Sequence, residues 1–497
     1  MIKRLTKIRE QIIAFASRSD AGAITAAIAA GLFPVLYYYN HNFFFVNSWE
    51  QLGFFLVNFL GIPIVVFVLI KGLFENVKLL KVYSKYSIPI LNFITFSVLI
   101  VISTKGFHTK YLLLAIVGSV IVSYWLWKYI NKIIVFQYLL VLVVAFKLVP
   151  KLYGQLTYSR DWMVQEDTIE QVQFKKTPNI YLIQADGYTS FGELKRGHYN
   201  YDNSKFEAFL KTSGFELYPE YRSNYYSTLS SNMSLFSMKH HYYNNPKKHS
   251  SEVVNARSII SGDNPVVSIF NTNNYHTSLL IEKPYLLCNR PTLYYDESNI
   301  DYSDLPYLAR GFETTIDIYK DLENAIDSNA STNNFYFVQK MLPRHISAFK
   351  RNSIGKEKER NRYFKNLEAA NEWLTKTVNM INSKDPNSVI IIMADHGGFV
   401  GLEYSTQCRT KQTDPDIIKS VFSSALAIKW PDANATPHIE SGVNLFRVLF
   451  SYLGENDSYL DHLQDDKSFL IIDEGAPYGV YETIDNEGNV VFNKVTN

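Results

Sequence analysis

Long apolar runs dominate the first 150 residues of the chain and lie at 22–39, 52–70, 87–104, 111–127 and 133–149. A helix needs about 20 mostly apolar residues to cross the ~30 Å hydrocarbon core of a bilayer. Residues 52–70 read LGFFLVNFLGIPIVVFVLI, without one charge, and helices buried inside soluble proteins seldom stay uncharged for so long. The pattern therefore predicts an α-helical bundle of five transmembrane spans over residues 1–150.

The first apolar run has a second interpretation, a signal peptide, because Pro34 and the tyrosines at 37–39 make it less hydrophobic than the others. No small-residue cleavage pattern follows it, and four more apolar runs come directly afterwards. We therefore expect the first run to be retained as a membrane span.

The basic residues predict the orientation of these spans, since Lys and Arg concentrate on the cytoplasmic side of a membrane. The opposite side carries only Lys105 and Lys110, and the loop 40–51 has no Lys or Arg. Five spans with the N-terminus inside place everything after residue 150 outside the cytoplasm. The basic residues on the inner side are Lys3, Arg4, Lys7, Arg9, Arg18, Lys71, Lys78, Lys81, Lys85, Lys128 and Lys132.

Beyond residue 150 the pattern changes. Residues 151–177 are polar and mixed in charge, which indicates a juxtamembrane connector, and the remainder, 178–497, alternates short apolar runs with longer helical patterns. Such alternation is typical of an α/β domain with a mostly parallel, doubly wound sheet. The predicted strands are 179–185, 277–281, 335–342, 388–394 and 423–430, and the predicted helices are 204–215, 307–328 and 361–383.

Net charge and cysteine content limit the classes of protein to which the chain can belong. The net charge of +2 gives no sign of the basic surface that binds nucleic acid. The chain has only two cysteines, Cys288 and Cys408, which fall in the extracytoplasmic part. The sequence leaves open whether they pair, and one pair is no disulfide framework.

The chemistry is expected at the carboxyl ends of the strands, where ligands bind in doubly wound sheets. The run NIYLIQA is followed by Asp186, and VIIIMA is followed by Asp395 and His396. Either aspartate alone is more often a turn former or a helix cap. Two strand ends that both present hard or borderline ligands beside glycines favour a metal site instead.

A hydroxyl-rich segment, SNYYSTLSSNMSLFSMKHH at 223–241, offers a nucleophile. A Ser or Thr at a helix N-terminus is usually only a cap. The same geometry would also point the hydroxyl of Thr228 towards a metal, with helix N–H groups ready to receive an anionic oxygen. Ser227, Ser230 and Ser231 flank Thr228, so the segment alone does not decide which hydroxyl reacts.

The order of these motifs resembles the alkaline phosphatase and sulfatase superfamily. Within it, membrane spans followed by an extracytoplasmic domain resemble the lipoteichoic acid synthases, which are phosphoglycerol transferases, and the lipid A phosphoethanolamine transferases. The resemblance implies that Asp186, Asp395 and His396 bind one metal ion, that Thr228 is both a metal ligand and the nucleophile, and that His345 in KMLPRHISAF binds the substrate phosphate. Residues 441–454 also look like a stretch found after the DHG strand in membrane-bound relatives.

The same resemblance implies a function. A divalent cation, Mn²⁺ or Zn²⁺ with Mg²⁺ as an alternative, would assist Thr228 in taking a phospho-alcohol (phosphoglycerol or phosphoethanolamine) from a phospholipid donor. The phospho-threonine would then pass the group to a cell-surface glycan or glycolipid. The protein would be an integral protein of the bacterial cytoplasmic membrane with a sulfatase-like domain outside.

Several features depart from the resembled enzymes and keep alternatives open. Those transferases use Glu where this chain has Asp186, and the phosphoethanolamine enzymes carry several disulfides. A membrane-surface phosphatase or phosphodiesterase is one alternative, with water as acceptor. A sulfatase is disfavoured because neither cysteine, nor Thr228, lies in the C/S-x-P-x-R pattern. A non-catalytic scaffold would be expected to have lost one of the metal or nucleophile positions.

Overall fold

The structure is a computed structural model that describes residues 2–242, 254–308, 310–432 and 437–495. The chain divides into two compact units, Met1–Tyr158 and Ser159–Asn497.

The first unit is helical, and its second helix, α2, is the packing centre. The helices are α1 (Ile2–Ala16), α2 (Ala23–His41), α3 (Trp49–Leu56), α4 (Ile62–Asn76), α5 (Ser84–Lys105), α6 (Thr109–Leu126) and α7 (Ile130–Leu156). Helices α4, α5 and α7 all contact α2. Its alanines at 26, 27, 29 and 30 are fully buried, because small residues let helix backbones approach closely in membranes.

Four helical stretches in the described residues are long and apolar enough to cross a membrane: Ala23–His41, Trp49–Asn76, Lys81–Lys105 and Thr109–Leu156. This count does not confirm five spans. The predicted spans 111–127 and 133–149 both fall in the last stretch, which is 48 residues long, because only the short turn Trp127–Tyr129 separates α6 from α7.

The second unit is built on a seven-stranded sheet of order β2-β7-β6-β1-β5-β3-β4. Only β7 runs antiparallel to its neighbours, so the prediction of a mostly parallel sheet is confirmed. The central strands are buried on both faces, as their continuous apolar runs predicted. The strands are β1 (Ile180–Ala185), β2 (Phe215–Leu217), β3 (Tyr275–Ile281), β4 (Glu297–Ser298), β5 (Asn333–Lys340), β6 (Val389–Met393) and β7 (Leu426–Lys429).

The helices of this unit surround the sheet. They are α8 (Ser204–Thr212), α9 (Thr228–Ser237), α10 (Ala256–Ile260), α11 (Pro265–Thr272), α12 (Ile318–Ser328), α13 (Lys356–Lys384), α14 (Pro415–Phe422) and α15 (Leu445–Gly454). The predicted helix 307–328 is wrong in its first half, apart from residue 309, which lies outside the described residues. Gly311 sits there at φ +85, so close to Tyr285 that a Cβ would lie 2.4 Å from its Cα, and this tertiary contact replaces helical pairing.

The sequence did not predict a second, antiparallel sheet near the C-terminus. It consists of β8 (Ser468–Ile472), β9 (Gly479–Ile484) and β10 (Val490–Lys494), in the order β10-β9-β8. The disulfide that the sequence left open does not form: Cys288 and Cys408 are both buried thiols. Burial raises the pKa of the Cys408 thiol to about 12, which leaves this residue an inert part of the core.

Candidate active site

Two of the predicted ligand-bearing segments end side by side in the central sheet. Strands β1 and β6 are parallel neighbours, with Gln184 beside Met393. Asp186 follows directly on β1, and Asp395 and His396 follow on β6. Parallel pairing therefore brings together three side chains from two distant parts of the sequence at one edge of the sheet.

These three buried side chains form a compact group, which we call the trio. One ligand atom from each of Asp186, Asp395 and His396 can be chosen so that all lie within 4.8 Å of one another. His396 Nε2 is 3.7 Å from Asp186 Oδ1 and 3.4 Å from Asp395 Oδ2. These separations are those of side chains arranged around a common point.

The trio fits a divalent metal ion. Asp186 Oδ1 and Asp395 Oδ2 are buried and lack a hydrogen-bond partner among the described residues, and such orphaned oxygens are costly unless something compensates them. Burial, and next the neighbouring Asp395 carboxylate, raise the pKa of Asp186 to about 7. A cation would satisfy both oxygens, and two carboxylates with one imidazole suit Zn²⁺ or Mn²⁺.

Contacts behind the trio fix the ligands in place. The Gly187 N–H donates to Asp395 Oδ1 at 3.2 Å. His396 Nδ1 lies 2.9 Å from the Gly397 carbonyl oxygen, so Nδ1 carries the proton and donates it there, and the lone pair of Nε2 faces the two aspartates. Such outer contacts set the tautomer and orientation of a metal-binding histidine.

The predicted nucleophile lies beside this trio. Thr228 is the first residue of α9, and its Oγ1 is 3.5 Å from His396 Nε2. The side chain is half-buried and faces the pocket. The hydroxyl is therefore near the point on which the carboxylates and the imidazole converge.

The three flanking serines are engaged elsewhere. Ser227 is the N-cap of α9 and accepts from the Ser230 N–H, while its Oγ lies 2.9 Å from Ser230 Oγ. Ser231 Oγ donates to the Tyr225 carbonyl oxygen at 2.8 Å. Of the four neighbouring hydroxyls, only that of Thr228 contacts the trio in the described part of the chain.

His345 also reaches the site, from the loop that follows β5. Its ring centroid is 5.5 Å from that of His396 and 5.6 Å from that of Phe399. Desolvation lowers its pKa to about 3, so the imidazole is neutral. Nδ1 is within hydrogen-bond distance of the Ile346 carbonyl and donates to it, which leaves Nε2 as the ring nitrogen available to a ligand.

Asp186, His396, Thr228 and His345 line one cavity of about 180 Å³, whereas Asp395 does not line it. The cavity also has an aromatic and cationic lining that the sequence analysis missed. Arg344 stands next to the predicted His345 in PRHIS and could have been noticed there, whereas the aromatic residues come from loops without a periodic pattern. The missed lining residues include Tyr226, Tyr285, Phe312, Arg344, Phe399 and Arg409.

No model of a protein family matches this chain, and no curated protein matches it. Solved structures do. The lipoteichoic acid synthase LtaP from Listeria monocytogenes is similar at 12% identity and a TM-score of 0.42, with 65% of this chain and 90% of that chain covered. The integral membrane protein lipooligosaccharide phosphoethanolamine transferase A (EptA) from Neisseria meningitidis is similar at 12% identity and 0.40, with 87% and 96% covered.

The C-terminal periplasmic domain of EptC from Escherichia coli, in a complex with Zn, is similar at 11% identity and a TM-score of 0.43, with 64% of this chain and 96% of that chain covered. Because these identities and TM-scores are low, the function proposed below rests on the geometry of the site itself. The similar structures include a lipoteichoic acid synthase and a phosphoethanolamine transferase, the two classes of enzyme that the sequence motifs resemble.

Proposed function

We propose that this chain is a membrane-bound transferase that moves a phospho-alcohol from a phospholipid to a cell-surface glycan or glycolipid through a phospho-threonine at Thr228. One observation carries the proposal. A half-buried threonine hydroxyl lies 3.5 Å from the imidazole of His396, in a pocket that is also lined by Asp186, whose buried Oδ1 has no hydrogen-bond partner among the described residues. A nucleophile beside a metal-binding group is the arrangement that phosphoryl transfer to a side chain requires.

When bound, a divalent cation held by Asp186, Asp395 and His396 would lower the pKa of the neighbouring hydroxyl and offset charge on the phosphate. Thr228 Oγ1 attacks the phosphorus of the donor head group. The new P–Oγ1 bond forms as the bond from phosphorus to the diacylglycerol oxygen breaks, and that oxygen takes up the proton that Thr228 gives up. An acceptor hydroxyl then attacks the same phosphorus, the P–Oγ1 bond breaks as the new P–O bond forms, and the acceptor's proton returns to Thr228 Oγ1. We place His345 in contact with the transferred phosphate.

The helical unit supports a donor taken from the bilayer. Helix α6 packs against α5, and α7 packs against α2. The 48 residues of Thr109–Leu156 would extend roughly 72 Å as one helix, which is over twice the ~30 Å that one span needs. We therefore propose five spans in the bacterial cytoplasmic membrane, with residues 178–497 outside. A reporter fused after residue 497 should be active only outside the cytoplasm, and cytoplasmic activity would refute the lipid-donor proposal.

The nucleophile is tested with four matched variants. Thr228→Ala should abolish transfer while metal content is retained, whereas Ser227→Ala, Ser230→Ala and Ser231→Ala should remain active because those hydroxyls bond elsewhere. Intact mass spectrometry after brief incubation with a phospholipid donor should show an adduct on the peptide that contains Thr228. Full transfer by Thr228→Ala with no adduct on any residue would mean direct attack by the acceptor and would refute the covalent mechanism.

The same experiment separates transfer from hydrolysis. If the adduct forms and is released to water at an equal rate with and without a glycan acceptor, the chain is a phosphodiesterase. If the acceptor accelerates release and carries the phospho-alcohol in the products, the chain is a transferase.

A further inference from the structure

Arg344 lines the pocket without an ion-pair partner. Its guanidinium forms no salt bridge or hydrogen bond among the described residues and lies 5.7 Å from the ring centroid of Phe312. The side chain is exposed at the pocket surface. An arginine held over an aromatic ring keeps its planar fork in a defined orientation while its N–H donors stay available to a ligand.

The backbone at Arg344 occupies a conformation that favours glycine or asparagine. Its φ is +65, and its N–H donates to the Asp186 carbonyl oxygen at 2.7 Å. The loop is held close to the trio, since a Cβ on Gly187 would lie 2.8 Å from the His345 backbone nitrogen. Strained backbone positions of this kind cluster at active sites and ligand-binding loops.

The charges on the pocket wall are predominantly positive away from the trio. Asp186 is the one carboxylate among the described residues that line the cavity. Arg409 is a second cation in the lining, but it is paired with Asp473, with Nε 2.7 Å from Oδ2. The cation that remains for a substrate is Arg344.

The aromatic wall by itself could suggest a different ligand. The rings of Tyr285 and Phe312 lie 4.8 Å apart, and aromatic pairs can bind an ammonium group. Here the Arg344 guanidinium already lies over Phe312. A cationic head group would have to share that face with a like charge.

We propose that Arg344 is a substrate-binding residue that donates to a non-bridging oxygen of the transferred phosphate and makes the pocket favour an uncharged polyol head group over a cationic amine. This inference rests on the proposed function, because it assumes that a phosphodiester enters the pocket. A phosphodiester carries one negative charge, which the fork of an arginine matches in geometry.

The inference is tested by binding, without turnover. The purified full-length chain is titrated with glycerol phosphate and with phosphoethanolamine. Wild type should bind glycerol phosphate about fivefold more tightly than phosphoethanolamine, the size of one solvent-exposed charge interaction. Arg344→Asn, which suits the left-handed backbone, should weaken glycerol phosphate binding by about 10- to 100-fold and remove the preference. Arg344→Lys should retain the preference with part of the affinity.

Arg351 is the matched control, because its guanidinium lies 5.4 Å from the Phe349 ring but does not line the cavity. Arg351→Asn should bind as wild type does. Unchanged binding by Arg344→Asn, or a wild type that binds phosphoethanolamine more tightly, would overturn the inference. A chain that binds through Arg344 but forms no Thr228 adduct refutes the transfer reaction alone, whereas an adduct with unchanged Arg344→Asn binding refutes this inference alone.

Discussion

Two adjacent buried histidines behind α9 predict that the protein loses stability in mild acid. His240 Nε2 is 2.7 Å from the Asp465 carbonyl oxygen, and Nδ1 is 3.1 Å from Tyr225 Oη. His241 Nε2 is 2.8 Å from the Ser230 carbonyl oxygen, while Nδ1 is buried without a partner among the described residues. Each ring therefore donates through Nε2. A second proton on His241 Nδ1 would have no acceptor among the described residues, and a second proton on His240 Nδ1 would displace the hydrogen bond that this nitrogen accepts from Tyr225 Oη.

The energetic consequence follows from the pKa values. Burial lowers the pKa of both histidines from an ordinary 6.5 to about 4. Between these values the unfolded chain binds a proton at each position and the folded chain does not. Stability is thus fully present above pH 6.5 and falls as the pH drops towards 4, with a slope of about 1.4 kcal/mol per pH unit for each histidine. At pH 5 the loss is about 2 kcal/mol for each ring.

Urea denaturation of the protein in detergent, followed by tryptophan fluorescence from pH 8 to pH 4, measures this loss. Trp162 lies 6.1 Å from the His241 ring, centroid to centroid, and reports on the region directly. His241→Gln keeps a donor for the Ser230 carbonyl and removes the titration, so its stability should depend less steeply on pH. His462→Gln, at an exposed position, is the control. An unchanged pH dependence in the double His240→Gln/His241→Gln variant would refute the reasoning.

Two further predictions concern the trio and its surroundings. His396→Ala removes one of the three side chains of the trio, so metal affinity should fall by more than the ~10- to 100-fold that is lost when a residue hydrogen-bonded to a metal ligand is replaced. If elemental analysis of this variant shows a full complement of Mn or Zn, the metal binds elsewhere. Gly187→Ala introduces a Cβ at φ +70, 2.8 Å from the His345 backbone nitrogen. The free energy of unfolding, measured by thermal denaturation, should fall by about 1–3 kcal/mol, and glycerol phosphate binding should weaken because the loop that carries Arg344 must move. Gly355→Ala has open space around it at φ +93, so it should carry only the backbone cost and bind normally.

Local patterns in the sequence are enough to predict the long apolar helices and the central strands. Apolar runs of about 20 residues marked the membrane helices, because the bilayer thickness sets that length. Short, mostly apolar runs marked β1, β5 and β6, because both faces of a central strand are buried. Asp186 and the Asp395–His396 pair stand out for a related reason, because a polar or charged group at the end of a buried strand interrupts the apolar run abruptly.

Which of these groups lie next to one another depends on the tertiary packing of the chain. Asp186 and Asp395 are more than 200 residues apart in the sequence, and the pairing of β1 with β6 makes them neighbours. The choice among four hydroxyls depended on where each one bonds, and periodicity carries no information on that. The same holds for Arg344, whose position depends on a close approach of two loops at Gly187. Loop contacts between distant residues leave no repeating pattern in a sequence, because packing rather than local propensity fixes them.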